Sequence, residues 1–250
     1  MTWDYAWQLG PKGGTLSDLS DYCTFVRLQG GAETIGAKRG NNVATPYRHG
    51  TLAVVHKFNT ELLIPLEVSY RLTDASGAVT DPDGEVGHIY ANKATVENLL
   101  FGSKGLATLR RTIPADTLEA YVEPTAPSVP SQNRLTYLYV LRAPEGFWRS
   151  TTQSTDSTSP ITVGGNAPVS DAIIEMGNGT LTMGDGSSVV VAGAAGTVSI
   201  NLEAGTITYV AGGADASGFV SFSRPYRVIL EPGTNTFTGA ATFKWYNKWR

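Results

Sequence analysis

Apolar and polar residues alternate along most of the chain, and the elements this predicts are mainly strands. Residues 62–72, LLIPLEVSYRL, put Leu66, Val68 and Tyr70 on one face. Residues 135–141, LTYLYVL, set Leu135, Tyr137, Tyr139 and Leu141 against Thr136, Leu138 and Val140. Both of those faces are apolar, which predicts a strand buried on both sides. From residue 172 onward short apolar runs recur between glycine turns: IIEM then GNG, TLTM then GDG, SVVV then AGAAG, TVSINL then EAG, TITYV then AGGADASG. Strands roughly 8–12 residues apart with such turns predict a β-sandwich or barrel. In the last residues, TFKWYNKWR, Phe243, Trp245 and Trp249 share one face. Thr242, Lys244, Tyr246, Lys248 and Arg250 share the other. The aromatic face is expected to fill a core, a sugar-stacking platform being the alternative. The face carrying Lys244, Tyr246, Lys248 and Arg250 is expected to meet solvent or a partner.

One stretch has a helical period. Val86, Ile89, Tyr90, Val96, Leu99 and Leu100 recur at helix spacing, and Asp81, Pro82, Asp83 and Glu85 suit a helix start. A helix is predicted over 82–101, stopped at Gly102. The acidic DPDGE at its start lacks the run of oxygen ligands that a calcium loop requires, so it reads as an ordinary cap. Two segments read as connections. EPTAPSVPSQN, residues 123–133, holds three prolines and is expected to be extended and outside any sheet interior. STTQSTDSTSP, residues 150–160, has no apolar residue and marks a boundary between two domains, 1–150 and 155–250.

Composition narrows the function. Lys and Arg number 19 and Asp and Glu 22, a formal net charge of -3 that gives no argument for direct nucleic-acid recognition. Charged residues are only 16% of the chain, against about 25% in an ordinary soluble domain. That fits a surface committed to protein partners, or a Gly- and Thr-rich β-protein with uncharged loops. No run of about 18 apolar residues exists to cross a membrane, and the start lacks a basic segment followed by an apolar run. A soluble chain made in a cytoplasm is expected, with no membrane insertion.

Candidate chemistry is sparse. There is no G-x-S-x-G, no H-E-x-x-H and no phosphate loop. His49, His56 and His88 are not spaced as metal ligands on one helix face, and Cys23, in YCTFVRL, reads as a buried hydrophobe. Asn178-Gly179-Thr180 reads as a turn. The expectation is a protein with no catalytic residues, no metal, no cofactor and no enzymatic activity. A carbohydrate-binding module built on Trp245, Tyr246 and Trp249 is the alternative, helping attachment to a host cell wall.

The cationic stretch 37–52, AKRGNNVATPYRHGTL, gathers Lys38, Arg39, Arg48 and His49 among asparagines and glycines. RGNNVATPYRHGTL resembles an element of siphophage distal tail proteins, especially those of phages infecting actinobacteria. The matching residues are Arg39, Gly40, Asn41, Pro46, Arg48 and Gly50. RVILEPGTNTF followed by TFKWYNKW is similar to the family's turn and final Trp-bearing strand, through Leu230, Pro232, Gly233, Asn235 and Trp245. VLRAPEGFWRS, residues 140–150, resembles the strand that closes the family's first domain. The proline-rich 123–133 and the acidic TDPDGE match no part of that pattern.

The resemblance implies a mainly β chain: an N-terminal β-barrel-like domain with one helix, then a C-terminal galectin-like β-sandwich. It implies a homo-hexameric ring at the distal end of a long non-contractile tail. Such a ring joins the tail tube to the hub, fibre and receptor-binding components, with the tape-measure protein also a neighbour. Within it Arg39, Asn41, Arg48 and His49 are expected at a subunit or tube interface. Arginine offers a planar fork for carboxylates and carbonyls, and Gly40 and Gly50 permit tight turns.

Overall fold

The computed structural model describes residues 6–28, 34–35, 42–44, 51–53, 61–102, 105–113, 116–125, 129–130, 136–223 and 228–249. The chain divides into two compact units, the first running through Trp148 and the second from Arg149 to Trp249. It is mainly β, with one α-helix among the described residues.

The first unit contains β1 (Ala6–Pro11), β2 (Ser17–Asp18), β3 (Cys23–Leu28), β4 (Thr34–Ile35), β5 (Asn42–Ala44), β6 (Thr51–Ala53) and β7 (Leu62–Tyr70). After α1 (Gly84–Phe101) come β8 (Ala107–Ile113), β9 (Asp116–Pro124), β10 (Val129–Pro130) and β11 (Thr136–Ala143). An open sheet runs in the order β2-β1-β8-β9-β11-β7-β3. The helix lies against β1, β7 and β9, strands from both halves of that sheet. β7 sets the core: Leu62, Ile64, Leu66, Val68 and Tyr70 are all buried. β11 pairs with it so that Tyr139 opposes Leu66 and Leu141 opposes Ile64. The other face of β11, with Leu138, Val140 and Arg142, is only half-buried, so this strand is not enclosed on both sides as its apolar pattern predicts. Arg142 there pairs with Glu61 and Glu123, which holds that face at a wet margin.

Two buried hydroxyls inside this unit satisfy each other. The Tyr70 and Tyr139 hydroxyls meet at 2.5 Å, and Tyr139 also donates to Glu97 of the helix at 3.3 Å. Burial, reinforced by Tyr139, pushes the Tyr70 hydroxyl above the ordinary phenol range.

The helix departs from its expected form at the start and on one face. It begins at Gly84, and no side chain of Asp83 caps it. The segment leading into the helix is held from within it: His88 Nε2 accepts the backbone N–H of Thr80 at 2.8 Å and of Asp81 at 3.0 Å. Gly87 is needed beside it, because a Cβ there would collide with the Asp81 carboxylate. Ile89, Val96 and Leu100 are buried as expected, together with His88 and Asn92. Asn92 belongs inside because its amide donates to the carbonyls of Arg71 and Thr73, both at 3.2 Å. Val86 and Tyr90, members of the same apolar set, are 56% and 65% exposed. They fall on a second face, with Ala94 and Phe101.

The described residues of the proline-rich 123–133 are not free of the sheet. Pro124 closes β9 opposite Leu141, and Pro130 opposes Tyr137 from the two-residue β10. Both prolines sit where a strand ends or is very short, where the missing N–H costs least.

The second unit begins with β12 (Trp148–Asp156), all but its first residue, then β13 (Ile161–Val163), β14 (Ile173–Met176), β15 (Gly179–Met183), β16 (Ser188–Val191) and β17 (Val198–Asn201). β18 (Thr206–Tyr209), β19 (Val220–Phe222), β20 (Gly233–Asn235), β21 (Phe237–Thr238) and β22 (Thr242–Trp249) complete it. One sheet runs β18-β17-β14-β22-β12, the other β19-β16-β15-β21, and β13 pairs with β20. Alternate residues of both sheets, among them Ile174, Leu181, Val189, Ile200 and Phe243, form one buried cluster. Residues 150–156 are therefore not a loose connection. They are polar because one face of β12 meets solvent, and their threonines suit a strand.

Candidate assembly surfaces

The cationic stretch contains a hairpin. β5 and β6 pair antiparallel, with Asn42 opposite Ala53, Val43 opposite Leu52 and Ala44 opposite Thr51. These two strands form a sheet of their own. The cationic stretch thus carries short strands. Arg39, Asn41, Arg48 and His49 lie outside the described residues, as does Arg250. β4, ahead of it in the sequence, pairs Thr34 and Ile35 with Leu63 and Leu62 at the start of β7.

The terminal strand differs from its expected form. Phe243 and Trp245 point into the sandwich core, so the ring of Trp245 is not available to stack on a sugar. The alternation then breaks. Trp245 Nε1 donates to Asn247 Oδ1 at 3.0 Å, and the same oxygen accepts the N–H of Gly164 at 2.9 Å. The carbonyl of Lys248 accepts from the backbone of Asn166 and Ala167, so residues 164–167 cover the end of the strand. Gly165 has φ +87°, and a Cβ on it would strike the Lys248 carbonyl. Under this cover Lys248 is 2% exposed, with Nζ 2.7 Å from Asp171 Oδ2. Lys248 is therefore an internal ion-pair partner, not a partner-facing cation. Lys244 pairs with Glu175 across the sheet at 2.6 Å and is about one-third exposed. The half-buried Tyr246 ring lies under the Arg149 guanidinium at 5.4 Å. Only Lys244 and Tyr246 of the expected cationic face thus retain accessible surface among the described residues.

His56, like His49, lies outside the described residues, while His88 and Cys23 are used structurally. His88 spends its acceptor nitrogen on the helix start. Among the described residues no group of three or more His, Cys, Asp and Glu could hold a metal ion. Cys23 is buried in β3, and burial pushes its thiol up to about 12 against an opposing pull from Arg71. A thiol reagent at pH 8 will leave Cys23 unmodified in the folded protein and react promptly once urea exposes it. Fast labelling under native conditions would contradict its placement in the core.

The exposed helix face does not stand out when the apolar residues of 82–101 are taken as one set. The signal was present. Val86, Tyr90, Ala94 and Phe101 make one line at i, i+4, i+8 and i+15, separate from Ile89, Val96 and Leu100.

No protein-family model matches the sequence. No curated protein matches it. Among solved structures the chain is similar to the Dit protein (gp 19.1) of SPP1, described as a paradigm of the hub adsorption apparatus in Gram-positive-infecting phages. The TM-score is 0.59 at 11% identity, covering 98% of this chain and 99% of that one. Chains of the phage P2 baseplate in its activated conformation are similar at lower scores. With calcium the TM-score is 0.39 at 12% identity over 99% of this chain and 98% of that one. With strontium it is 0.36 at 11% identity over 97% and 98%. The chain shares the fold of the SPP1 protein over 98% of its length.

Proposed function

We propose that this protein is a structural component of a phage tail tip, a distal tail protein that forms a ring between the tail tube and the hub and receptor-binding apparatus. The observation that carries the reading is the end-to-end likeness to SPP1 Dit, in which both units and the helix are included. The ordered motifs at residues 39–50, 140–150 and 230–245 support it independently of the backbone comparison. In this reading the first unit builds a homo-hexameric ring, and the second is a galectin-like sandwich that can hold receptor-binding components. The chain acts in the virion, at the distal end of a non-contractile tail, and catalyses no reaction. A closed ring needs a heterologous contact, in which different patches of neighbouring copies meet.

Light scattering on the purified chain and negative-stain imaging of particles test the proposal. A closed assembly of defined mass, or a ring of this chain at the tail tip, is expected. A chain that stays monomeric at high concentration and leaves no ring in intact particles would overturn it. Charge reversal at Arg39 and Arg48 will impair particle assembly while leaving the isolated chain folded by circular dichroism. Normal assembly by that variant would remove both residues from the interface.

A further inference from the structure

We propose that Asn178 is a latent modification site: its side-chain amide is open to spontaneous hydrolysis to aspartate or isoaspartate, and the fold holds that reaction off with a clamp that the reaction itself destroys.

The chemistry starts from the sequence. Asn178-Gly179 is the one Asn-Gly pair in the chain. Asparagine is thermolabile, and most so before glycine, which puts no Cβ between its own nitrogen and the preceding side chain. The Gly179 nitrogen attacks Asn178 Cγ and gives its proton to solvent base. The bond from Cγ to Nδ2 breaks, and Nδ2 takes a proton from solvent and leaves as ammonia. Water then opens the cyclic imide at either carbonyl, which yields aspartate or isoaspartate. Nothing beyond water and its ions is consumed. Asn178 is exposed, so solvent reaches it. The glycine is set by the backbone, since Gly179 has φ +151°, a value that residues with side chains rarely adopt.

The clamp is set by the topology. Residues 177–178 carry the chain from β14 in one sheet to β15 in the other, and residues 192–197 carry it back from β16 to β17. The two crossovers emerge at the same end of the sandwich, because Met176 opposes Val198 and Gly179 opposes Val191. There the Asn178 side chain joins them. Its Nδ2 donates to the Ala194 carbonyl at 2.8 Å, and its Oδ1 accepts the Ala194 N–H at 2.9 Å. The amide thus stands in for a backbone bridge, with a donor and an acceptor both in use. Held this way, Cγ is not free to turn toward the Gly179 nitrogen. The third crossover, 210–219, leans on the second: Ala192 N–H donates to the Phe219 carbonyl at 2.9 Å and Val210 N–H to the Thr197 carbonyl at 3.0 Å. Asn178 is therefore the side-chain tie of the first crossover to that group. Aspartate keeps one oxygen for the Ala194 N–H but turns a second acceptor toward the Ala194 carbonyl, so the bridge loses one bond and gains a repulsion. Isoaspartate also lengthens the backbone by one methylene.

The test follows the full chain in mildly alkaline buffer by peptide mass spectrometry, reading the mass gain of one amide-to-acid conversion at Asn178. Isoaspartate is scored by enzymatic carboxyl methylation. Conversion is expected to be roughly tenfold to a hundredfold slower in the folded chain than in urea, the protection that two net hydrogen bonds provide. The Ala194 amide proton reports the clamp directly. Below the unfolding midpoint, its exchange and the conversion of Asn178 should rise together as urea is added. The variant Asn178→Asp, at an exposed position, should exchange amides of 192–197 about tenfold faster while the 184–187 turn at the opposite end stays as it was. No conversion in urea overturns the site. Equal rates with and without urea, or conversion that begins only with global unfolding, overturns the clamp as its guard. Unchanged exchange at 192–197 in Asn178→Asp overturns the claim that the reaction undoes the clamp.

Discussion

Replacing Trp148 with alanine will destabilise the first unit by about 3–5 kcal/mol. Trp148 is fully buried and is the largest side chain to be so among the described residues. Its ring meets that of Trp7 edge-on, with centroids 6.3 Å apart and planes at 64°. Arg111, opposite Trp7 on the neighbouring strand, lays its guanidinium over the Trp148 ring at 4.4 Å. Removing the indole leaves a cavity that Trp7 cannot fill without leaving its own site, and it takes the aromatic partner from Arg111. The edge-to-face pair is worth about 0.5–1.5 kcal/mol beyond the area it buries. Amide exchange followed by mass spectrometry separates the two units, where a single melting curve would merge them. Protection should fall in β1, β8 and β9 in Trp148→Ala, with β14 and β17 changing less. Trp148→Phe should lie between wild type and alanine. A loss below about 1 kcal/mol for the alanine variant would mean that the site collapses freely, contrary to the packing described.

The elements that could be read from the sequence were those with one strong period. β7 shows its buried face as Leu66, Val68 and Tyr70, and the short strands after residue 172 announce themselves by glycine turns. The errors fall where a second influence outweighs the pattern. β12 is nearly devoid of apolar residues yet is a strand, because pairing with β22 supplies the hydrogen bonds that its composition does not signal. The helix carries two apolar stripes, and residue type alone cannot say which one meets the sheet. His88 and Asn92 go inward because backbone groups of residues 71–81 are there to satisfy them, a tertiary fact without a local signature. Lys248 continues an alternation that placed it outside. The chain at 164–167 folds over the end of the strand and encloses it. In each case a contact from distant sequence decided between faces that the local pattern left equivalent.

Asp171→Ala will cost the second unit about 3–5 kcal/mol, more than removal of its partner. The asymmetry follows from burial. The Lys248 side chain is almost wholly enclosed, and Asp171, with Oδ2 2.7 Å from Nζ, is nearer to water. Truncating the aspartate leaves an ammonium in a low-dielectric site with its nearest anion gone. Truncating the lysine leaves a carboxylate that retains some solvent. Lys248→Met should therefore be the milder change, since the thioether occupies much the same volume as the lysine stem. The double variant Asp171→Ala/Lys248→Met removes both charges together. It should recover most of the stability lost in Asp171→Ala, because replacing a buried pair by apolar groups is often neutral or stabilising. Urea unfolding of the four proteins closes the cycle. Recovery in the double variant would identify the unpaired ammonium as the source of the loss. Losses that simply add would mean that Lys248 and Asp171 act independently, and that the enclosure by residues 164–167 holds the end of β22 without help from the ion pair.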